Sequence, residues 1–168
     1  FPDEEYFSLD AVPLMLPGFW GNYLRGAALS LMRDYKLRRG ISGVIRGRLP
    51  MGGLSSSAAV ITAYLLALMD ANGLECSKED LIQYSHWVEK DFISLKNGIL
   101  DQSANVLSRD GFLMYMDCES GAWELVPKSA SMPDFSVVIV NSGFNKALIG
   151  TDYNNRVDEC KIAASVLQ

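Results

Sequence analysis

The segment Gly53–Ala58 (G-L-S-S-S-A) joins a glycine-containing loop to a long apolar run, a pattern suited to holding a phosphate. The first turn of a helix leaves backbone N–H groups free, and the positive end of the helix dipole attracts anions. Serine hydroxyls can donate hydrogen bonds to phosphate oxygens or ligate Mg²⁺. An ordinary capped helix start explains the hexapeptide equally well, and the sequence lacks the lysine-containing Walker A pattern.

Two carboxylates further along the chain could take part in the same chemistry. Asp101 stands in Asn97–Gln102 (N-G-I-L-D-Q), at the predicted start of a short helix. It could simply stabilise that helix start, or it could orient a substrate hydroxyl and take its proton during phosphoryl transfer. Glu89 lies twelve residues earlier, near the predicted end of a helix, where the dipole disfavours a carboxylate. Its position therefore calls for a cation, although an isolated Glu there is more often a solvated surface residue.

Helical periodicity predicts the elements that must position these groups. Apolar residues recur every three or four positions from Trp20 to Tyr35, which predicts a helix with one buried face. The run Ala58–Met69 is apolar except at Thr62, so the helix that begins at Ser55 or Ser56 should lie at the centre of the core.

The ends of the next helices are also marked. Asn72-Gly73 should end the central helix with a left-handed cap, and Ser77–Asp80 resembles a capping box at the start of the next one. That helix should bury Leu81, Ile82, Val88 and Phe92, and a shorter helix is expected over Leu100–Leu107.

The remaining chain mixes strands with helices. The sequence predicts strands at Ile41–Arg48 and Phe135–Val140, the second an inner one, and a hairpin that joins Phe112–Met116 to Trp123–Val126. Gly143–Thr151 should be a loop, followed by a final helix that carries Val157, Cys160, Ala164 and Leu167. Because strict alternation of strand and helix is absent, the predicted fold class is α+β.

The composition excludes several classes of protein. Apolar residues make up 49% and charged residues 21%, with a formal net charge of −5, which is typical of one globular domain with a sizeable core. Mild acidity without a Lys/Arg run counts against nucleic acid as a partner. The longest apolar run is too short to cross a membrane. The three cysteines have no metal or disulfide spacing, which favours a reducing, cytoplasmic setting.

Taken together, the order G-L-S-S-S-A followed by E-x₁₁-D-Q resembles the GHMP kinases, and within them the galactokinase branch. The stretches SSSAAVITAYLLAL and LKNGILDQSA are most similar to galacturonokinases. Further matching segments are Trp20–Tyr23 (W-G-N-Y), Asn97–Gln102, Asp117–Ser120 (D-C-E-S) and Tyr153–Arg156 (Y-N-N-R).

This resemblance implies a fold like the second domain of ribosomal protein S5 and an ATP-dependent sugar-1-kinase activity on galactose or galacturonic acid. It implies ATP and Mg²⁺ as cofactors, with Asp101 as the catalytic aspartate. Glu89 and Ser57 would hold Mg²⁺, while Gly98, Asp101 and Tyr153 would contact the sugar. The residues implied to bind the ATP phosphates are Gly52, Gly53, Leu54, Ser55, Ser56 and Ser57. The alternative is a non-catalytic sugar and ATP sensor on the same fold.

Two departures from the family pattern carry further expectations. Pro50–Leu54 reads P-M-G-G-L, one residue shorter than the usual loop. The family's first motif should precede Phe1, and its glycine-rich third motif should follow Gln168. Residues 1–168 are therefore expected to be an N-terminal domain truncated at both ends, without the C-terminal domain and inactive alone.

Overall fold

Five α-helices and one β-hairpin form the regular structure of the computed structural model, which describes residues 4–47, 53–140 and 152–167. The helices are α1 (Asn22–Met32), α2 (Ser56–Asn72), α3 (Lys78–Trp87), α4 (Leu100–Leu107) and α5 (Tyr153–Leu167). The strands are β1 (Phe112–Met116) and β2 (Trp123–Pro127). A 3₁₀ turn spans Leu9–Ala11, and a π-helical segment, Val88–Phe92, continues α3.

The core lies where α1, α3 and α4 pack around α2. The face of α2 that carries Ile61, Leu65 and Leu68 is buried against Ala28 and Leu31 of α1. The sequence predicted burial on every side of α2, and this is wrong, because Leu66 is 50% exposed on the opposite face. A helix that is apolar on every side can be buried on every side. Whether each face is buried depends on the elements that pack against it.

The helix ends follow the predicted capping chemistry. Gly73 ends α2 in the left-handed conformation, with φ +63°. Ser77 caps α3 by accepting a hydrogen bond of 3.0 Å from the N–H of Asp80. α2 begins differently, because its N-cap Ser55 has φ +53° and makes no side-chain capping bond.

The hairpin is also confirmed. β1 and β2 pair antiparallel, with Phe112 opposite Pro127 and Met116 opposite Trp123. Asp117 fixes the connection, since its carboxylate accepts hydrogen bonds from the backbone of Glu119 and the hydroxyl of Ser120.

Two predicted strands do not form among the described residues. Positions 41–47 of Ile41–Arg48 and all of Phe135–Val140 are outside any sheet, and Val137 and Val138 are 80% exposed. A β-branched sequence becomes a strand only when another strand satisfies its backbone, and no such partner lies beside either segment in the described part of the chain. The final helix is confirmed as α5, although it buries no residue, and the predicted loop Gly143–Thr151 lies outside the described residues.

No helix among the described residues combines the length and the apolarity needed to cross a membrane. Cys76, Cys118 and Cys160 are all free thiols.

Gly26 allows α1 to approach the π-helical segment that follows α3. A Cβ atom at this position would overlap Cγ1 of Val88 and lie 3.0 Å from Cδ1 of Phe92. Val88 is fully buried and β-branched, so it has little freedom to move aside. The glycine therefore permits the close approach of α1 to the segment that contains Glu89, the next residue after Val88.

We predict that Gly26→Ala lowers the free energy of unfolding by about 1–2 kcal/mol, although alanine is the better helix former. Urea denaturation would measure the change. Gly43→Ala is the matched control, because a Cβ atom at this exposed glycine would meet no atom within 4 Å. It makes the same change to the unfolded chain without a clash and should therefore not lower the stability. A Gly26→Ala variant as stable as the wild type would contradict the close approach of the two segments.

Candidate functional site

The carboxylate of Glu89 lies at the centre of the candidate site. Only 2% of this residue is exposed, although it is charged and stands in the π-helical segment. Its Oε2 accepts a hydrogen bond of 2.6 Å from Nδ2 of Asn97 and one of 2.5 Å from Nε2 of Gln102. The π-helical turn and α4 thus meet at one oxygen atom.

Two neutral amides donate to this buried carboxylate. Glu89 forms no ion pair with any of the lysines, arginines or the histidine that the structure describes. Tyr23 of α1 is affected by the charge of Glu89. Burial, reinforced by this negative charge, raises the pKa of the Tyr23 phenol above its usual value. Buried carboxylates are normally paired with a cation or bound to a metal, so a buried Glu without an ion pair among the described residues is unusual.

Asn97 is held through both its side chain and its backbone carbonyl. Its side chain donates to Glu89, and its carbonyl oxygen lies 3.1 Å from Nε2 of His86, which must donate this bond as Nε2–H. His86 of α3 and Glu89 of the π-helical segment are three residues apart and lie on the same helical face. This face therefore contacts both the side chain and the backbone carbonyl of Asn97. The sequence assigned no chemistry to His86, and the structure gives it this positioning contact.

The start of α2 presents free backbone donors. Gly53 and Ser55 both have positive φ, +73° and +53°, which turns the chain sharply into the helix. The hydrogen-bond ladder begins with the N–H of Ala59 bonded to the carbonyl of Ser55. The N–H groups of Ser56, Ser57 and Ala58 precede that ladder and have no partner within the helix.

The side chains around this turn are partly open to solvent. Leu54 is 37% exposed, and Ser55 and Ser57 are half-buried. Gly52, the remaining residue that the resemblance implies to bind phosphate, lies outside the described residues.

Ser57 and Glu89 lie toward the same end of the α2–α3 pair. The hydroxyls of Thr62 and Ser85 form a 3.4 Å hydrogen bond between the two helices, which a short connection makes antiparallel. Ser57 is five residues before Thr62, and Glu89 is four residues after Ser85. At 1.5 Å per residue these are steps of ~7.5 and ~6 Å in the same direction.

Asp101 lies in the first turn of α4 and is half-buried. Its neighbour Gln102 is fully buried and donates to Glu89, so the two carboxylates are linked through a single residue of the chain. Gly98, three residues earlier, is exposed, and a Cβ atom there would meet no atom within 4 Å. The chain from Asn97 to Gln102 thus has Glu89 on its buried side and an open surface at Gly98.

Tyr153 is the first residue of α5 and is half-buried. The next residue, Asn154, hydrogen-bonds to the backbone of Ser94 and Lys96. Because this segment leads directly into Asn97, Tyr153 is joined to the same part of the molecule as Gly98 and Asp101.

Residues 22–109, more than half of the chain, match the family described as GHMP kinases N terminal domain. The chain belongs to this family. The matched range contains the start of α2, Glu89, Gly98 and Asp101, whereas Tyr153 lies beyond it.

Named relatives agree with this assignment of a GHMP kinase domain. The chain is 46% identical to a galacturonokinase of Arabidopsis thaliana over 152 residues, which are 88% of the chain and 36% of that protein. It is 35% identical to a galactokinase of Clostridium perfringens (strain SM101 / Type A) over 164 residues, 96% of the chain and 42% of that protein. The crystal structure of Lactococcus lactis galactokinase complexed with galactose matches with a TM-score of 0.79 and 28% identity, over 94% of this chain and 40% of that one. The GHMP chain therefore spans roughly two fifths of the length of these relatives.

These findings confirm the predicted family and its mixed α and β fold. Sequence reasoning proposed Glu89 and Asp101 as site residues, which stays a prediction, and it missed the contacts of Asn97, Gln102 and Asn154 in this GHMP domain. Amides are common on protein surfaces, and no spacing rule marks one that will meet a buried carboxylate. The only available signal was that Asn97 and Gln102 stand at the two ends of the motif that contains Asp101.

We predict that Gln102→Met lowers the free energy of unfolding by about 2 kcal/mol, because it removes a donor from a buried carboxylate while keeping a similar volume. In a Glu89→Gln background the same change should have less than half of this effect, because the stranded acceptor is then neutral. Thermal or urea denaturation of the four proteins gives the coupling free energy. Equal effects in both backgrounds would contradict the contact.

Proposed function

We propose that the protein carrying this chain is an ATP-dependent sugar-1-kinase. The observation that carries the proposal is Glu89, a carboxylate buried without a cationic partner among the described residues. It is linked by Gln102 to the turn that holds Asp101, and it lies toward the same end of the helix pair as the free N–H groups of α2. A magnesium–nucleotide site next to a catalytic carboxylate requires these features.

The start of α2 would bind the phosphates of ATP. The N–H groups of Ser56, Ser57 and Ala58 point out of the helix end, where the positive end of the dipole favours an anion. Gly53 and Leu54 would bring the loop backbone close to the phosphates, and we extend this role to Gly52. The hydroxyls of Ser55 and Ser56 would add donors that rotate to suit the phosphate oxygens.

Glu89 and Ser57 have the chemistry to hold Mg²⁺. The two hydrogen bonds to Glu89 converge on Oε2, and Oε1 takes part in neither. Carboxylate and hydroxyl oxygens are ligands that Mg²⁺ prefers, and in kinases this ion is held by few protein groups together with substrate phosphates. When bound, the ion would neutralise the charge on the transferred phosphoryl group.

Asp101 would act on the sugar. Its half-buried carboxylate can accept a hydrogen bond from the anomeric hydroxyl and receive the proton as the hydroxyl oxygen bonds to the γ-phosphorus of ATP. ADP then leaves with the electrons of the broken bond. Gly98 would let the sugar approach the backbone, and Tyr153 at the start of α5 would border the same space.

We further propose galacturonate as the preferred sugar, with galactose as the competing substrate. The support is the higher identity to the galacturonokinase, 46%, than to the galactokinase, 35%. The three free cysteines suit a reducing compartment, so we place the protein in the cytoplasm.

We expect Asp101→Asn in the complete protein to lower kcat for sugar phosphorylation by about 100-fold or more, because general base catalysis supplies effects of this size. Nucleotide binding, measured by titration calorimetry, should be unchanged. Asp110→Asn, at an exposed aspartate nearby, is the matched control and should have normal kcat. Near-normal turnover in Asp101→Asn would remove the assigned role.

The choice of sugar is tested by comparing kcat/KM for galacturonate and galactose in the complete protein. We expect galacturonate to be favoured by about 100-fold or more, since a site built to pair with a carboxylate leaves a buried polar group unpaired with the neutral sugar. The reverse preference would identify galactose as the substrate and leave the kinase proposal intact.

A further inference from the structure

The side chain of Asn154 makes two hydrogen bonds to a neighbouring segment of backbone. Its Oδ1 accepts from the N–H of Lys96 at 2.8 Å, and its Nδ2 donates to the carbonyl of Ser94 at 2.8 Å. The amide thus pairs with the backbone on either side of Leu95 as a β-strand partner would.

A second side chain of α5 holds the same segment. Asp158 is four residues after Asn154 and therefore lies on the same face of the helix. Both of its carboxylate oxygens lie 2.6 Å from Nζ of Lys96. This ion pair is partly exposed and contributes little alone, so the bonds from Asn154 to the backbone are the more specific contact.

The segment that Asn154 holds is in an unfavourable conformation. Ser94 has φ +65°, one of only two positive values at non-glycine positions among the described residues. A residue with a Cβ atom avoids this region unless its surroundings enforce it. From the other side, the N–H of Leu95 bonds to the carbonyl of Glu89 at 2.8 Å.

These contacts connect the two parts of the proposed sugar site. Asn154 follows Tyr153 directly at the start of α5, and the segment it holds leads through Asn97, which donates to Glu89, into Gly98 and Asp101. We infer that Asn154 is a positioning residue that fixes Tyr153 and the Gly98–Asp101 turn relative to each other, so that the sugar meets both in one geometry. This role rests on the proposed function.

The test uses Asn154→Ala in the complete protein, with Asn155→Ala as the matched control. Asn155 is the exposed neighbour of Asn154, and its side chain makes no recorded hydrogen bond to another of the described residues. We expect Asn154→Ala to raise KM for the sugar about tenfold, the effect of losing two ordinary hydrogen bonds, while KM for ATP stays within about twofold. A general loss of folding would instead affect both substrates and the melting temperature. Asn155→Ala should change none of these quantities.

A second substitution tests the mechanism itself. Glycine adopts positive φ without steric cost, so Ser94→Gly in the Asn154→Ala background should restore part of the lost sugar affinity, because it removes the conformational cost at position 94 without replacing the two bonds to α5. No restoration would overturn the role assigned to the conformation of Ser94.

Hydrogen exchange separates this inference from the proposed function. The N–H of Lys96 bonds to Asn154, so its exchange should become about tenfold faster in Asn154→Ala and remain unchanged in Asn155→Ala. Unchanged exchange, or faster exchange with an unchanged KM for the sugar in an active protein, overturns the positioning role. A wild-type protein that phosphorylates no sugar would instead overturn the proposed function, whatever the exchange shows.

Discussion

The burial of one carboxylate constrains much of this domain. Removing the charge of Glu89 from water is costly, and the structure offsets that cost with two amide donors from different segments, Asn97 and Gln102. Each amide must lie within hydrogen-bond distance of Oε2 of Glu89. The turn before α4 and the first turn of α4 are therefore both held by this oxygen atom. Gly26 adds a steric condition, because α1 must lie close to the π-helical segment that carries Glu89.

This arrangement explains why the candidate site combines rigid and open parts. Gln102 is fully buried and Asn97 half-buried, and both donate to Glu89, whereas Gly53, Ser56 and Gly98 are exposed. On the proposed function, the turn before α2 would have to be open to admit a phosphate, and Glu89 would have to keep a fixed position to hold a cation. Asp101 stands between the two regions, and its neighbour Gln102 anchors it to the rigid one.

The sequence predicted the helical part of the fold well, because capping residues and apolar periodicity act locally. Gly73 and Ser77 end and begin their helices through contacts within a few residues. The strands expected at 41–47 and 135–140 were wrong in the described structure for the opposite reason. A strand is stabilised by backbone partners distant in sequence, and a β-branched run does not reveal whether such a partner lies beside it.

For the site, the sequence by itself determined the family and singled out Asp101, Glu89 and the serine-rich helix start, because these residue types keep a fixed order along the chain. Only the tertiary structure decided which oxygen of Glu89 is occupied, that His86 holds Asn97, and that Asn154 reaches Ser94 across sixty residues of sequence. The physical reason is the distance along the sequence over which each interaction acts. Helix propensity and capping act within a few residues, whereas a hydrogen bond between distant segments exists only after the core has brought them together.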